Sequence, residues 1–165
     1  MSHPNIEICL AAESDAESLI HLHYAAVQNI EGRFYPQKVL AAWSPPPSPA
    51  RYAWMRGMIS TDGQPVWVTK QMGKTCGFSI STLADGFIKA LYIHPAFAGQ
   101  GIGKCLLTFT EQQLAQQGRA TATLKASINA VAFYQAAGYR VIAPATQTLG
   151  DGSEMKCLEM EKALI

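Results

Sequence analysis

Apolar residues in the first third of the chain recur at the spacing of helices. Leu19, Leu22 and Ala26 lie three or four positions apart, which gives one apolar face to a helix opened by Ser14 and Asp15. Proline marks the other helix boundaries, because it is tolerated in the first turn of a helix and disfavours the helical conformation before it. The predicted elements are a strand over 6–10 and helices that begin at Ser14, at Pro36 and, after a Ser48 cap, at Pro49.

From residue 66 the pattern changes to the two-residue alternation of strands. Cys76, Phe78 and Ile80 alternate with small or polar residues, which predicts a strand with one buried face. The predicted elements are strands over 66–70, 75–81 and 87–93, a helix from Ile102 ended by Gly118, a strand over 120–126, a helix over 129–137 closed by Gly138, and paired strands over 139–143 and 154–164. This order predicts an α/β fold with a mixed sheet covered by helices and a parallel step across the helix from Ile102.

A glycine-rich segment, AGQGIGK at 98–104, joins the strand over 87–93 to that helix. Unpaired backbone N–H groups and the helix dipole at such a junction attract a phosphate. Two nucleotide motifs do not fit. A Walker A loop needs glycine at Ala98 and a hydroxyl at Cys105, and a dinucleotide fingerprint needs a third glycine where Lys104 stands. The segment predicts an anion site of another kind.

Two segments in order resemble the GNAT N-acetyltransferase superfamily. LYIHP at 91–95, GQGIG at 99–103 and the leucines that follow resemble its acyl-CoA-binding motif, and NAVAFYQAAGY at 129–139 resembles its second hallmark segment. Tyr35, Gln37 and Trp43 are similar to a group of small bacterial members. The resemblance implies a single GNAT-like domain over 1–165. Its central sheet would be mostly antiparallel, splayed at the middle strands and covered by helices on both faces.

The resemblance also implies acetyl-CoA as the acyl-donor substrate, with no metal. Leu91 and Ile93 would pair with the pantetheine arm through their backbone, the amides of 98–104 would bind the pyrophosphate, and Tyr134 would be the catalytic residue that protonates the departing thiolate. The family usually has Arg or Gln where this chain has Ala98. The implied acetyl-CoA-binding residues are Leu91, Tyr92, Ile93, Ala98, Gly99, Gln100, Gly101, Ile102, Gly103, Lys104, Asn129 and Tyr134.

The acceptor side is less determined by the sequence. We expect an acceptor pocket lined by Tyr35, Trp43, Tyr92 and His94. Some family members carry a glutamate base on the strand before the glycine segment, but the nearby residues here are Phe87 and Lys89. The candidates for taking the amine proton are His94, Glu31, His21, His23 and water.

Composition narrows the class of protein. The formal net charge of +1 argues against a nucleic-acid or anionic-membrane partner. The sequence contains no run of 18 apolar residues, so no membrane span is predicted. The N-terminus lacks the regions of a signal peptide, and four scattered cysteines fit reduced thiols in the cytoplasm.

We expect a cytoplasmic enzyme that transfers acetyl directly from acetyl-CoA to a small primary amine. The alternatives are a protein or peptide N-acetyltransferase and a non-catalytic CoA-binding regulatory module. The resemblance is also compatible with a homodimer.

Overall fold

A computed structural model describes residues 5–164 of the chain, which form one open seven-stranded sheet flanked by five α-helices. The strands lie in the order β1-β2-β3-β4-β5-β7-β6, and neighbours are antiparallel except β4 and β5, which are parallel. The elements are β1 (Glu7–Leu10), α1 (Ala16–Gln28), α2 (Gln37–Trp43), α3 (Pro49–Ile59), β2 (Val66–Gln71), β3 (Lys74–Thr82), β4 (Phe87–Ile93), α4 (Ile102–Gln116), β5 (Thr121–Ser127), α5 (Val131–Ala136), β6 (Arg140–Thr148) and β7 (Glu154–Ala163). The order predicted from the sequence is confirmed, including the parallel step across α4.

Helices cover the two faces of the sheet separately. Helices α1 and α3 pack on one face, where Leu19, Met55 and Phe78 belong to the same buried cluster. Helices α4 and α5 cover the other face around Leu114 and Leu124. We call these the α1–α3 face and the α4–α5 face. The prediction that the strand over 75–81 buries only one side is wrong: residues 76–81 are all buried, because this central strand lies between α1 and α4.

Local signals fix most element boundaries. The Ser48 hydroxyl accepts a hydrogen bond from the Arg51 backbone at 3.3 Å, which confirms the predicted cap of α3. The predicted start of a helix at Asn129 is displaced, because residues 128–130 form a 3₁₀ turn and α5 begins at Val131. Strand β6 extends five residues beyond the predicted end, since it pairs with β7 as far as Thr148.

Strands β4 and β5 separate after two residue pairs. Phe87 lies opposite Thr123 and Ile88 opposite Leu124, and no further pair follows. At the same level the pairing of β4 with β3 passes from Ile88 directly to Ala90, so that Lys89 is an extra residue in β4. Such a bulge bends a strand and increases its twist, which accounts for the divergence. The predicted splay at the middle strands is confirmed.

The thiols and the helices bear on two further expectations. Cys9, Cys76, Cys105 and Cys157 are free cysteines in the structure. Among residues 5–164, no helix is both long enough and apolar enough to cross a membrane.

Candidate active site

A cavity of about 470 Å³ lies where β4 and β5 separate. It joins the two faces of the sheet through the gap between these strands. Leu91 and Tyr134 line it from the α4–α5 face, and Trp43 and Tyr92 line it from the α1–α3 face. Of the residues predicted from the sequence, the fold therefore brings together these four and His23. Residues that do not line it are Tyr35, Ile93, His94, Asn129 and the segment 98–104.

The glycine-rich segment forms the entrance to α4. Gly99 and Gly101 both have φ of +79°, a left-handed conformation that disfavours any other residue. Gly101 is the N-cap of α4, and its carbonyl accepts the first helical hydrogen bond, from Cys105 at 3.1 Å. The N–H groups of the first helical turn have no partner within the helix. The segment is exposed at 98–101, so these donors face an open surface suited to an anion.

Gly103 lies where α4 meets α5 and the end of β4. A Cβ atom at this position would lie 3.4 Å from the Phe133 ring and 3.5 Å from Ile93. Helix α4 thus begins directly beside the end of β4. The open edge of β4 and the amides of 98–104 therefore form one continuous surface.

Tyr134 presents an unused hydroxyl to the cavity. The residue is 7% exposed, and its hydroxyl makes no hydrogen bond to another residue within the described range. The hydroxyl oxygen is also not fully buried. Among the described residues, the fully buried side-chain polar atoms without a hydrogen-bond partner are Trp67 Nε1 and Ser81 Oγ. Burial, with a smaller contribution from Tyr92, raises the pKa of Tyr134 above its usual value. The Tyr134 hydroxyl is therefore neutral near neutral pH and has no hydrogen-bond partner among the described residues.

Aromatic residues form the wall on the α1–α3 face. Trp43 Nε1 donates a hydrogen bond to the Tyr92 hydroxyl at 3.1 Å, and the edge of the His23 ring packs on Tyr92 with centroids 4.5 Å apart. Burial raises the pKa of Tyr92 to about 12, so this hydroxyl also remains protonated. These contacts fix the orientation of Tyr92 across the cavity.

Tyr35 supports this wall from behind. Its hydroxyl donates to the Lys156 carbonyl at 2.5 Å and accepts from the Ile128 amide at 2.8 Å. Its ring packs edge-on against Trp43 with centroids 5.8 Å apart. Tyr35 thus ties β7 to the turn before α5 and positions Trp43 without reaching the cavity.

His23 is held as a neutral imidazole. Its Nδ1 lies 2.8 Å from Ser44 Oγ and 3.2 Å from Arg51 Nη2. Because a guanidinium can only donate, we assign Nδ1 as the acceptor, which leaves the proton on Nε2. Burial and, second, the charge of Arg51 lower the pKa of His23 to about 3. Neither nitrogen is therefore available to take a proton near neutral pH.

The other three candidate bases lie outside the cavity. His94 Nδ1 accepts a hydrogen bond from the Ala96 amide at 3.0 Å and so caps the 3₁₀ turn over Pro95–Phe97. His94 and His21 line a separate depression. Glu31 is largely exposed and pairs with Arg33 at 2.8 Å. Within residues 5–164, no three His, Cys, Asp or Glu side chains group as a metal site would require.

Several lining residues were not found by sequence reasoning. Arg51 comes from α3, Lys89 from the bulge in β4, Lys125 from β5, and Gln147 and Cys157 from β6 and β7. Helical periodicity marked only the apolar positions of α3, so it gave no reason to select Arg51. The other four lie on strands whose order in the sheet is set by the tertiary fold.

A model of the acetyltransferase (GNAT) domain matches residues 36–164. The chain belongs to the GNAT acetyltransferase family. It is 38% identical over 69 residues to an uncharacterized N-acetyltransferase, ycf52, of Pyropia yezoensis, and this match spans 40% of each chain.

Solved structures of this family have the same fold. The GCN5-related N-acetyltransferase from Rhodopseudomonas palustris gives a TM-score of 0.83 at 24% identity, over 99% of this chain and 97% of that one. The PaiA N-acetyltransferase from Thermoplasma acidophilum, solved in complex with coenzyme A, gives 0.76 at 20% identity over 99% of both chains. The predicted GNAT-like architecture is thus confirmed.

Proposed function

We propose that this protein transfers an acetyl group directly from acetyl-CoA to a primary amine of a small molecule. The observation that carries the proposal is the cavity at the β4–β5 splay, which joins the unpaired hydroxyl of Tyr134 to the aromatic wall of Trp43 and Tyr92. Family membership supports the reaction class, and the coenzyme A in the Thermoplasma acidophilum relative supports the donor. The size of the cavity, about 470 Å³, supports a small acceptor.

The residues present fit acetyl-CoA. The amides of 98–104, at the N-terminus of α4, are suited to bind its pyrophosphate. Backbone groups of Leu91 and Ile93, on the edge of β4 that β5 leaves unpaired, are suited to pair with its pantetheine arm. Asn129 is exposed and makes no hydrogen bond to another described residue, so its amide is free for the same arm. Acetyl-CoA, when bound, supplies the acetyl group and a thiolate leaving group.

Tyr134 acts as the general acid. The amine nitrogen forms a bond to the acetyl carbon, the C–S bond breaks, and the Tyr134 hydroxyl gives its proton to the sulfur. Burial raises the pKa of this hydroxyl, so the phenol is protonated when the reaction begins. Water then reprotonates the phenolate.

Water accepts the proton that the amine loses. Nδ1 of His23 is occupied by Arg51 and Ser44, and the pKa of His23 is about 3, which excludes it as a base. Arg51, Lys89 and Lys125 line the same cavity. Nearby positive charge disfavours an ammonium and lowers the pKa of a bound amine, so a dedicated base is not required.

The test measures thiol release from acetyl-CoA with a panel of small primary amines and of peptides. We expect amine-dependent release with at least one small amine and formation of its N-acetyl product by mass spectrometry. Release with peptides alone would replace the acceptor class by a protein or peptide. CoA binding by calorimetry without release for any amine or peptide would replace catalysis by a CoA-binding regulatory role.

A further inference from the structure

The charged side chains of the cavity are all basic. Arg51, Lys89 and Lys125 line it together with His23, and none of its lining residues is an aspartate or glutamate. An acceptor with several positive charges would therefore meet only like charge at this site. Like charges in a partly enclosed cavity repel more strongly than in bulk water.

Among residues 5–164, these three cations have no carboxylate partner. The ion pairs of the described residues are Glu31–Arg33, Asp15–Lys70, Glu161–Arg140 and Glu111–Lys162. Lys89 instead donates to Gln64 Oε1 at 3.2 Å, and Lys125 donates to the Thr146 carbonyl at 3.2 Å. Each basic group of the cavity thus has neutral partners and retains an uncompensated charge.

Arg51 is the most constrained of the three. Its Nη1 donates to the Pro45 carbonyl, and its Nη2 lies 3.3 Å from Ser44 Oγ and 3.2 Å from His23 Nδ1. These contacts fix the plane of the guanidinium and leave some of its five N–H donors unused. A fixed guanidinium with free donors has the geometry that binds a carboxylate.

We propose that the acceptor is a small amine that also carries a carboxylate, as an amino acid does, and that Arg51 binds this carboxylate. The inference rests on the proposed acetyl transfer and names its substrate class. The carboxylate offsets one of the three positive charges, and Lys89 and Lys125 add attraction. The amine is left beside the gap between β4 and β5, where Tyr134 lies.

The closing experiment compares acceptors that differ only in this group. Amino acids, their carboxamides and a diamine of similar length are assayed for kcat/KM with acetyl-CoA. We expect the amino acid to exceed its carboxamide by about tenfold or more, as loss of a hydrogen-bonded charge predicts. The diamine should be the poorest acceptor.

Variants then assign the effect to Arg51. Arg51→Met should lower kcat/KM for the amino acid by about tenfold or more beyond any loss for its carboxamide, while Arg51→Lys should recover part of this difference. Arg56→Met is the matched control, since Arg56 is exposed on the same helix and does not line the cavity. It should change neither substrate. CoA affinity, measured by calorimetry, should be equal in all four proteins.

Other outcomes separate this inference from the proposed function. Faster acetylation of the diamine or the carboxamide, or an equal loss for both substrates in Arg51→Met, overturns the carboxylate and keeps the acetyltransferase. No turnover with any amine overturns the proposed function. In that case, calorimetric titration of the amino acid into the CoA-bound protein decides the inference, which binding weakened by Arg51→Met supports and absence of binding overturns.

Discussion

The two sides of the cavity are built from different kinds of atoms. On the α4–α5 face, the unpaired edge of β4 and the glycine segment 98–104, which lies outside the cavity lining, present mainly backbone groups. On the α1–α3 face, side chains such as Trp43, Tyr92 and Arg51 form the wall. The backbone surface comes from one continuous stretch of chain, whereas the side-chain wall is assembled from separate helices and strands.

Because of this difference, we expect the two sides to recognise different ligands. Backbone donors at a helix N-terminus bind a phosphate group regardless of neighbouring side chains, so one short motif predicts a common donor. Side chains from separate segments can change one at a time, and each change alters which acceptor fits. We therefore expect substitutions on the α4–α5 face to affect every acceptor equally and substitutions on the α1–α3 face to discriminate among acceptors.

The largest effect should follow Tyr134→Phe. Loss of general-acid catalysis lowers kcat by about 10²–10⁴-fold for all acceptors. Folded stability should not fall, because the hydroxyl makes no hydrogen bond within residues 5–164. Steady-state kinetics and CoA titration measure the two effects. Tyr24→Phe, a hydroxyl removed outside the cavity, serves as the control. Unchanged turnover in Tyr134→Phe would remove the proposed acid.

Gly101→Val should weaken CoA binding by about a hundredfold, the loss expected for two hydrogen bonds to a charged phosphate. Valine is strained at the φ of +79° and moves the N–H groups at the start of α4. Gly63→Val is the matched control, since Gly63 has a φ of +72° and open space around its Cβ position. Calorimetry and thermal unfolding of both variants separate the effects: both should lose stability, and only Gly101→Val should lose affinity. Equal affinity in the two variants contradicts the role of the segment.

The smallest expected effect is on the pH dependence of folded stability, through His23 on the α1–α3 face. The pKa of His23 is about 3 in the folded protein against 6.5 in the unfolded chain, so the unfolded state binds more protons between these values. Stability is therefore fully present above about pH 6.5 and declines as the pH falls toward 3.

His23→Gln should weaken this decline. Between neutral pH and about pH 5.7, its melting temperature should fall about 2–4 °C less than that of the native protein, the shift that about 1 kcal/mol produces at this size. His21→Gln, on the exposed side of the same helix, is the control and should follow the native curve. An identical pH profile for His23→Gln would mean that His23 is not held neutral.

Much of the fold could be predicted from local sequence signals. The bounds of β4 agree with its apolar run, and Ser48 caps α3 as its position before proline indicates. The prediction that β3 buries only one face was wrong, because a two-residue alternation also occurs in a strand covered on both faces. There the Ser79 hydroxyl forms a hydrogen bond with the Thr110 hydroxyl at 2.8 Å. The length of β6 was underestimated, since a partner strand rather than its own composition extends it to Thr148.

The sequence indicated more of the candidate site on the α4–α5 face than on the α1–α3 face, where it selected Trp43 and Tyr92 but not Arg51. Gly99, Gly101 and Tyr134 belong to continuous motifs, so their sequence neighbours identify them. Arg51 and Lys125 are 74 positions apart, and neither lies in a motif that links it to the other. His23 was a candidate base by residue type, but its contacts with Arg51 and Ser44 exclude that role.

The sequence by itself determined the order of elements, the glycine segment and the tyrosine beside it, because helix starts, turns and short motifs depend on residues that are close along the chain. Only the tertiary structure placed Arg51, Lys89 and Lys125 beside Trp43 and Tyr92 and made all charges of the cavity basic. The physical reason is that burial, charge compensation and pKa depend on distances in space. In this protein, residues separated by most of the chain meet where β4 and β5 diverge.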